Sequence, residues 1–365
     1  MHIVVSGGGT AGHIYPALAF AQIAKDNGDN VTFAGVPDSL EESLAKKAGV
    51  DFIGFQAKGF NRSKPLSLIT STNLIMKSSR LASDWLRKNC VDLVVGFGGY
   101  VSIPVGRAAL KNNIPLVCHE QNSHMGMANK YFLKRANGIA LTYSQALVGY
   151  SASAKVLVTG NPVRKNILQA NREESRKKLG LSSDDVLLTV FGGSLGARQI
   201  NSALIELKDK LLSIPNLRIL QITGHSQYDS VCLQLGLSTE EMKRWSLHDY
   251  VDDMAEVLSS SDIVLSRAGA TSLAEISALS LPAILVPYPY ATGDHQTKNA
   301  HEYVNSGCAK MISDAEVSTE KFQTLLLDCV TDKKLRDTMK ANAKKKNARN
   351  AGADLYEFAT SFTCA

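Results

Sequence analysis

No apolar run in these 365 residues approaches the 18 or more that a membrane-spanning helix needs. The first residues, Met1-His-Ile-Val-Val-Ser6, lack the charged and long apolar segments of a secretory leader, so none is expected. The six cysteines (Cys90, Cys118, Cys232, Cys308, Cys329 and Cys364) are scattered without a C-x-x-C pair, which argues against a disulfide framework or a zinc knuckle and fits a reducing compartment. Asp-x-Asp is absent, as is any close His/Cys cluster, so no protein-held metal is expected; Asp252-Asp253 has neither the spacing nor the company of a metal site. The second strand expected in the chain, Asn30 to Ala34, runs into Gly35-Val-Pro without the terminal acidic residue that would take the ribose of a nicotinamide cofactor, and Asp38 lies past it.

What is present is a composition ordinary for a globular chain, 44% hydrophobic and 20% charged, with length enough for two domains. The net charge of +6 is uneven. Residues 1–163 hold 16 Lys and Arg against 9 Asp and Glu, while 164–365 hold 24 against 25. A first half this basic suits an anionic partner: nucleic acid, a polyanionic substrate or a membrane surface.

In chain order, His2 to Ser6 reads as a strand and Gly7-Gly-Gly-Thr-Ala-Gly-His13 as the turn after it. A helix is expected over Ile14 to Lys25, with Pro16 in its first turn. Val91 to Gly96 is a second such strand, ending in Phe97-Gly98-Gly99-Tyr100, where glycine lets a ligand approach the backbone. Ile114 to Cys118 ends in His119-Glu120-Gln121-Asn122, a polar cluster at a strand's carboxyl end, where open α/β sheets bind ligands. Gly160-Asn-Pro-Val-Arg164 reads as a linker. Val186 to Phe191, followed by Gly192-Gly-Ser-Leu-Gly-Ala197, repeats the opening strand and glycine turn, so two Rossmann-like domains in tandem are expected.

The stretch Asp262 to Ala300 is the richest. Asp262 to Ser266 is a buried strand, and Thr271 and Ser272 open a helix whose unpaired N–H groups suit phosphate. Glu275, about one turn in, is placed to accept a ribose diol. Leu281 to Pro287 reads as another strand, and Asp294 to Ala300 opens another helix. Between the glycine turns, Leu66 to Ile69, Leu74, Leu81 and Trp85 are interleaved with Lys64, Lys77, Arg80, Arg87 and Lys88. Such a face suits an anionic membrane surface, unless its apolar side packs on the sheet.

Eight stretches in order, GGGTAGH (7–13), VGFGGYVSIP (95–104), HEQN (119–122), GNPVR (160–164), FGGSLGA (191–197), YVDDM (250–254), SRAGATSLAEI (266–276) and DHQTKNA (294–300), resemble the GT-B glycosyltransferases of family 28, and among them the bacterial enzymes of peptidoglycan synthesis. The resemblance implies an α/β fold, GT-B, with two Rossmann-like domains facing each other across a deep cleft. The first would span 1–163, with a C-terminal helix at about 345–365 packed back on it, and the second 164–344. It implies transfer of N-acetylglucosamine from UDP-N-acetylglucosamine to the 4-hydroxyl of lipid I, with inversion, giving lipid II. UDP-N-acetylglucosamine is then a substrate, and no protein-bound cofactor is implied.

By the same resemblance the donor would meet Val251 at the uracil, Arg164, Ser194, Ala270, Thr271 and Ser272 at the diphosphate, Glu275 at the ribose, and His295, Gln296 and Asn122 at the sugar, with Thr10, Ala11, Gly12 and His13 adjoining from the first turn. Gly9, Gly98, Gly99 and Tyr100 would form the acceptor loops. The base is His13 or Glu120. Leu195 stands where relatives often carry Gln. The implied partners are lipid I, an anionic membrane surface and other cell-wall synthesis proteins, with no nucleic acid, and the implied location is the cytoplasmic face of the bacterial membrane, held peripherally. A transferase acting on another lipid, a UDP-sugar 2-epimerase and a non-catalytic nucleotide-binding module remain as alternatives.

Overall fold

The computed structural model describes residues 1–59, 66–193, 196–346 and 350–363. The chain divides into two compact units, Met1–Arg164 with Arg349–Ala365, and Lys165–Ala348.

The first unit is built on a seven-stranded parallel sheet. Its strands are β1 (His2–Ser6), β2 (Asn30–Gly35), β3 (Asp51–Gly54), β4 (Leu93–Gly96), β5 (Leu116–Glu120), β6 (Gly138–Leu141) and β7 (Lys155–Val158), in the order β3-β2-β1-β4-β5-β6-β7. The central strands are apolar along their length because helices cover both faces. The helices used below are α1 (Ala11–Asp26), α2 (Leu40–Lys47), α3 (Leu66–Lys88), α4 (Ser102–Lys111) and α5 (Met127–Phe132). α1 begins three residues before the expected start, so Pro16 lies in its second turn, where it cannot donate to the carbonyl of Gly12. The helix Ala351–Thr360 returns to this unit, and its Leu355, Phe358 and Ala359 join the core formed by Ile3, Val5, Phe20 and Phe33. Its Gly352 lies so close to Ile23 of α1 that a Cβ there would stand 2.2 Å from Ile23 Cδ1.

The second unit carries a six-stranded parallel sheet of β8 (Val186–Phe191), β9 (Leu217–Ile222), β10 (Trp245–His248), β11 (Ile263–Ser266), β12 (Ala283–Leu285) and β13 (Ala309–Met311), in the order β10-β9-β8-β11-β12-β13. The Leu281 to Pro287 strand narrows to three residues, with Pro282 and Pro287 outside it. A buried polar chain fixes one flank of the sheet. Trp245 Nε1 donates to Gln221 Oε1 at 3.0 Å, Gln221 Nε2 to Asn201 Oδ1 at 3.1 Å, and Asn201 Nδ2 to the Thr223 carbonyl at 3.2 Å.

Each strand order reverses at one place, between β1 and β4 in the first sheet and between β8 and β11 in the second. Crevices outside the carboxyl ends of such a pair are where open α/β sheets take ligands. The glycine turns at 7–10 and 97–100 flank the first reversal. Gly192 and Gly193 after β8 and the turn at 267–269 flank the second.

Candidate active site

At the first crevice the turn after β1 and the turn after β4 pack backbone against backbone. A Cβ on Gly99 would lie 2.3 Å from the Gly8 carbonyl oxygen, so only glycine fits there, and its φ of +76° suits glycine as well. His13, in the first turn of α1, is half-buried, and its ring lies over Gly98, whose Cβ would stand 3.4 Å from Nε2. Its Nδ1 is 3.1 Å from the Gly8 carbonyl and 3.2 Å from Thr10 Oγ1. A carbonyl oxygen only accepts, so in the neutral ring the proton sits on Nδ1 and the lone pair on Nε2. Tyr100 packs its ring on Gly9 and is exposed. Ala11 and Gly12 are half-buried at the start of α1.

Glu120, at the end of β5, is buried, and both its oxygens are engaged. Oε1 accepts from the Asn122 N–H at 3.1 Å, and Oε2 from the Gly126 N–H and Asn129 Nδ2, both at 2.8 Å. It ties down the loop that carries Asn122. Arg164 groups with the first unit rather than the second, and its guanidinium lies 4.3 Å over the Tyr15 ring of α1. Glu41 of α2 is a participant that sequence reasoning missed: it is buried, and its Oε1 accepts from the Gly9 N–H at 2.9 Å. In sequence it looks like any first-turn acid of a charged helix, and nothing local marks it.

At the second crevice Gly269 stands at the N-cap of the helix Ala270–Ala278 and brings no side chain to the first-turn N–H groups of Ala270, Thr271 and Ser272. Thr271 and Glu275 share one face of that helix, four residues apart, and Glu275 is buried. The turn before the helix is braced from two sides. Arg267 is buried, donates to the Val286 and Pro287 carbonyls, and pairs with Asp314. Gln296 Oε1 accepts from the Ala268 N–H at 3.2 Å and the Tyr288 N–H at 2.9 Å. His295 opens the helix His295–Asn305 and donates from Nδ1 to the Thr292 carbonyl at 2.9 Å. Val251 is half-buried beyond β10, and Asp253 caps the helix Met254–Ser260 through Ala255 N–H. Ser194 and Leu195 lie outside the described residues. Among the described residues no group of three His, Cys, Asp or Glu side chains is arranged to hold a metal ion.

The stretch expected to face a membrane changes in composition. α3 buries Ser78, Ala82 and Leu86. Trp85 packs edge-on against His2 and Phe55, with centroids 5.9 and 6.4 Å apart, and lies half-buried against the core cluster that contains Leu86 rather than on an exposed face. Among the described side chains of α3, Met76 and Leu81 are the exposed large apolar ones. Lys64 and the side chains of Leu66 to Ile69 lie outside the described residues. Beside Met76 a recess of about 370 Å³ between α3, α4 and α5 is lined by Arg80, Arg107, Lys111, Leu110 and Tyr131. Among the described residues no helix is long and apolar enough to cross a membrane.

Sequence comparison matches residues 3–141 to the glycosyltransferase family 28 N-terminal domain and 187–355 to its C-terminal domain. The chain belongs to glycosyltransferase family 28. A curated relative from Halothermothrix orenii is 38% identical over 98% of both chains and is named UDP-N-acetylglucosamine--N-acetylmuramyl-(pentapeptide) pyrophosphoryl-undecaprenol N-acetylglucosamine transferase. A protein of the same name from Leuconostoc mesenteroides is 37% identical, again over 98% of both chains. Among solved structures, a MurG of Acinetobacter baumannii superposes with a TM-score of 0.72 at 26% identity, over 99% of each chain. The family 28 chain thus has the GT-B architecture of two Rossmann-like domains.

Proposed function

We propose that the chain transfers N-acetylglucosamine from UDP-N-acetylglucosamine to the 4-hydroxyl of lipid I, with inversion at the sugar carbon, and so makes lipid II. The names of relatives that match it nearly end to end support this reaction. The observation that carries the mechanism is the 3.1 Å contact of His13 Nδ1 with the Gly8 carbonyl, which only accepts, so that the neutral ring keeps its proton there and its lone pair on Nε2. His13 Nε2 takes the proton from the 4-hydroxyl as that oxygen attacks the anomeric carbon. The bond from that carbon to the diphosphate breaks, and UDP leaves with the electron pair. The N-terminus of α1 disfavours imidazolium and keeps the ring a base. The rival base, Glu120, has both oxygens committed to Asn122, Gly126 and Asn129, so its role is to position Asn122 toward the sugar.

The leaving diphosphate is stabilised by the helix N-terminus at Ala270, Thr271 and Ser272, by Arg164 and by Ser194. Glu275 takes the ribose, Val251 the uracil, and His295 and the Gln296 amide the sugar hydroxyls. Thr10, Ala11 and Gly12 complete the sugar's surroundings, and Gly9, Gly98, Gly99 and Tyr100 receive the acceptor's phosphates. No resident cofactor enters this chemistry. The protein works at the cytoplasmic face of the membrane, held by the basic recess and by Met76 and Leu81, where it meets lipid I and other cell-wall enzymes. His13→Ala tests the assignment. Loss of a general base costs about a hundredfold to ten-thousandfold in kcat, while UDP affinity stays within about threefold, since that change is under 1 kcal/mol. A folded variant with normal UDP binding and more than about a tenth of wild-type kcat would place the base elsewhere, because loss of a base costs far more than that.

A further inference from the structure

One peptide unit joins Glu41 to His13. The bond between Gly8 and Gly9 presents its N–H to Glu41 Oε1 at 2.9 Å and its carbonyl to His13 Nδ1 at 3.1 Å. Carboxylate, peptide and imidazole therefore form a single line of donors and acceptors, with every proton pointing toward the carboxylate. Hydrogen bonds in such a line polarise one another, and the effect is larger away from water. Glu41 is 4% exposed, and Gly8 lies so close to it that a Cβ there would overlap the carboxylate, 2.0 Å from Oε1. The contact is built into the turn and does not depend on a mobile surface side chain.

We propose that Glu41 is a positioning residue for His13, acting through the Gly8–Gly9 peptide. The carboxylate draws the Gly9 N–H, makes the Gly8 oxygen a stronger acceptor, and so holds the His13 proton on Nδ1 and makes Nε2 more basic. The arrangement does for this histidine what a carboxylate directly on Nδ1 does in a Ser-His-Asp triad, with a peptide interposed. The consequence for turnover rests on His13 being the base; the linkage itself does not. Other ionisable groups near the turn include Tyr100, packed on Gly9, Glu120, held by Asn129 beside Gly98, His119, whose ring lies against Phe97, and Arg164, stacked on Tyr15. All stay unchanged in the variant below, which isolates Glu41.

The test is a histidine-ring NMR titration of the full-length protein, with the His13 signals assigned by their loss in His13→Gln. Glu41→Gln keeps an oxygen that can accept from the Gly9 N–H but removes the charge. The His13 pKa is expected to fall by roughly 0.5–1 unit, less than the 1–3 units of a directly adjacent opposite charge. The acidic limb of the kcat/KM profile is expected to move by the same amount. An unchanged His13 pKa in folded Glu41→Gln overturns the proposal, because a purely structural glutamate would leave it unmoved. If the NMR pKa falls and the kinetic limb stays put, the linkage stands and the base is another group. If Glu41→Gln does not fold, the wild-type protein still decides. A scalar coupling between His13 Nδ1 and the Gly8 carbonyl carbon, together with a Gly9 amide proton that shifts as Glu41 titrates, is the expected result. A neutral ring protonated on Nε2 contradicts it.

Discussion

His119 is fully buried at the end of β5, where its Nε2–H donates to the Gly160 carbonyl at 2.8 Å and the Gln121 amide donates to its Nδ1 at 3.1 Å. Burial disfavours the cation and pulls its pKa from 6.5 down to about 4, against a smaller upward pull from the Gly160 bond. The unfolded chain therefore binds a proton that the folded one refuses between these two values. Stability is fully present above about pH 6.5 and drains away as pH falls toward 4, by roughly 3 kcal/mol in all. Thermal melts of wild type and His119→Gln across pH 4–7 should show the variant losing this part of the slope; parallel slopes would contradict the assignment. Glu275 makes a prediction of another kind. A charge-assisted hydrogen bond to the ribose is worth about 1.5–3 kcal/mol, so Glu275→Ala should weaken UDP binding about tenfold to a hundredfold in calorimetry. Unchanged affinity in the folded variant would remove Glu275 from the ribose site. Single residues were the hardest scale to read from the sequence. His13 stood out because a glycine turn announced it. Glu41 and the saturation of Glu120 depend on partners 32 and 6 residues away that no local pattern reveals.

Among the elements, α3 shows how an amphipathic pattern misleads. Leu74, Leu81 and Trp85 share a helical face by spacing, yet Leu81 is 56% exposed while Trp85 lies half-buried against the core. Spacing gives the face but not the neighbour: α3 packs on α4, and its buried side chains are mostly small ones such as Ser78, Ala82 and Ser83. The membrane prediction therefore moves to Leu81, Met76 and the cations of the recess. Flotation with anionic vesicles should fall in Leu81→Glu and in Arg80→Glu with melting unchanged, and should weaken as salt shortens screening to about 3 Å at 1 M. Equal flotation on neutral and anionic lipid would reject the electrostatic part. Trp85→Ala should instead lower stability, by roughly 2 kcal/mol, less than the 3–5 of a fully buried aromatic.

At the scale of the whole molecule, the repeat of strand, glycine turn and helix after residues 2 and 186 was legible and gave two Rossmann-like units. The strand orders were not, because parallel pairing is decided by burial of both sheet faces and leaves no mark in any one strand. Nor were β3 and α2, which are short and polar. Those orders matter, since the reversals between β1 and β4 and between β8 and β11 put all four glycine turns at ligand-binding crevices. The central claim is that this protein moves a sugar from a nucleotide to a lipid. It is tested most directly by incubating it with UDP-N-acetylglucosamine labelled in the sugar, with and without a lipid I analogue, and following both label and UDP. The account predicts label in the lipid and an equal amount of UDP when acceptor is present, and neither when it is absent. UDP release or sugar epimerisation without acceptor, or no label in the lipid with it, would contradict the account.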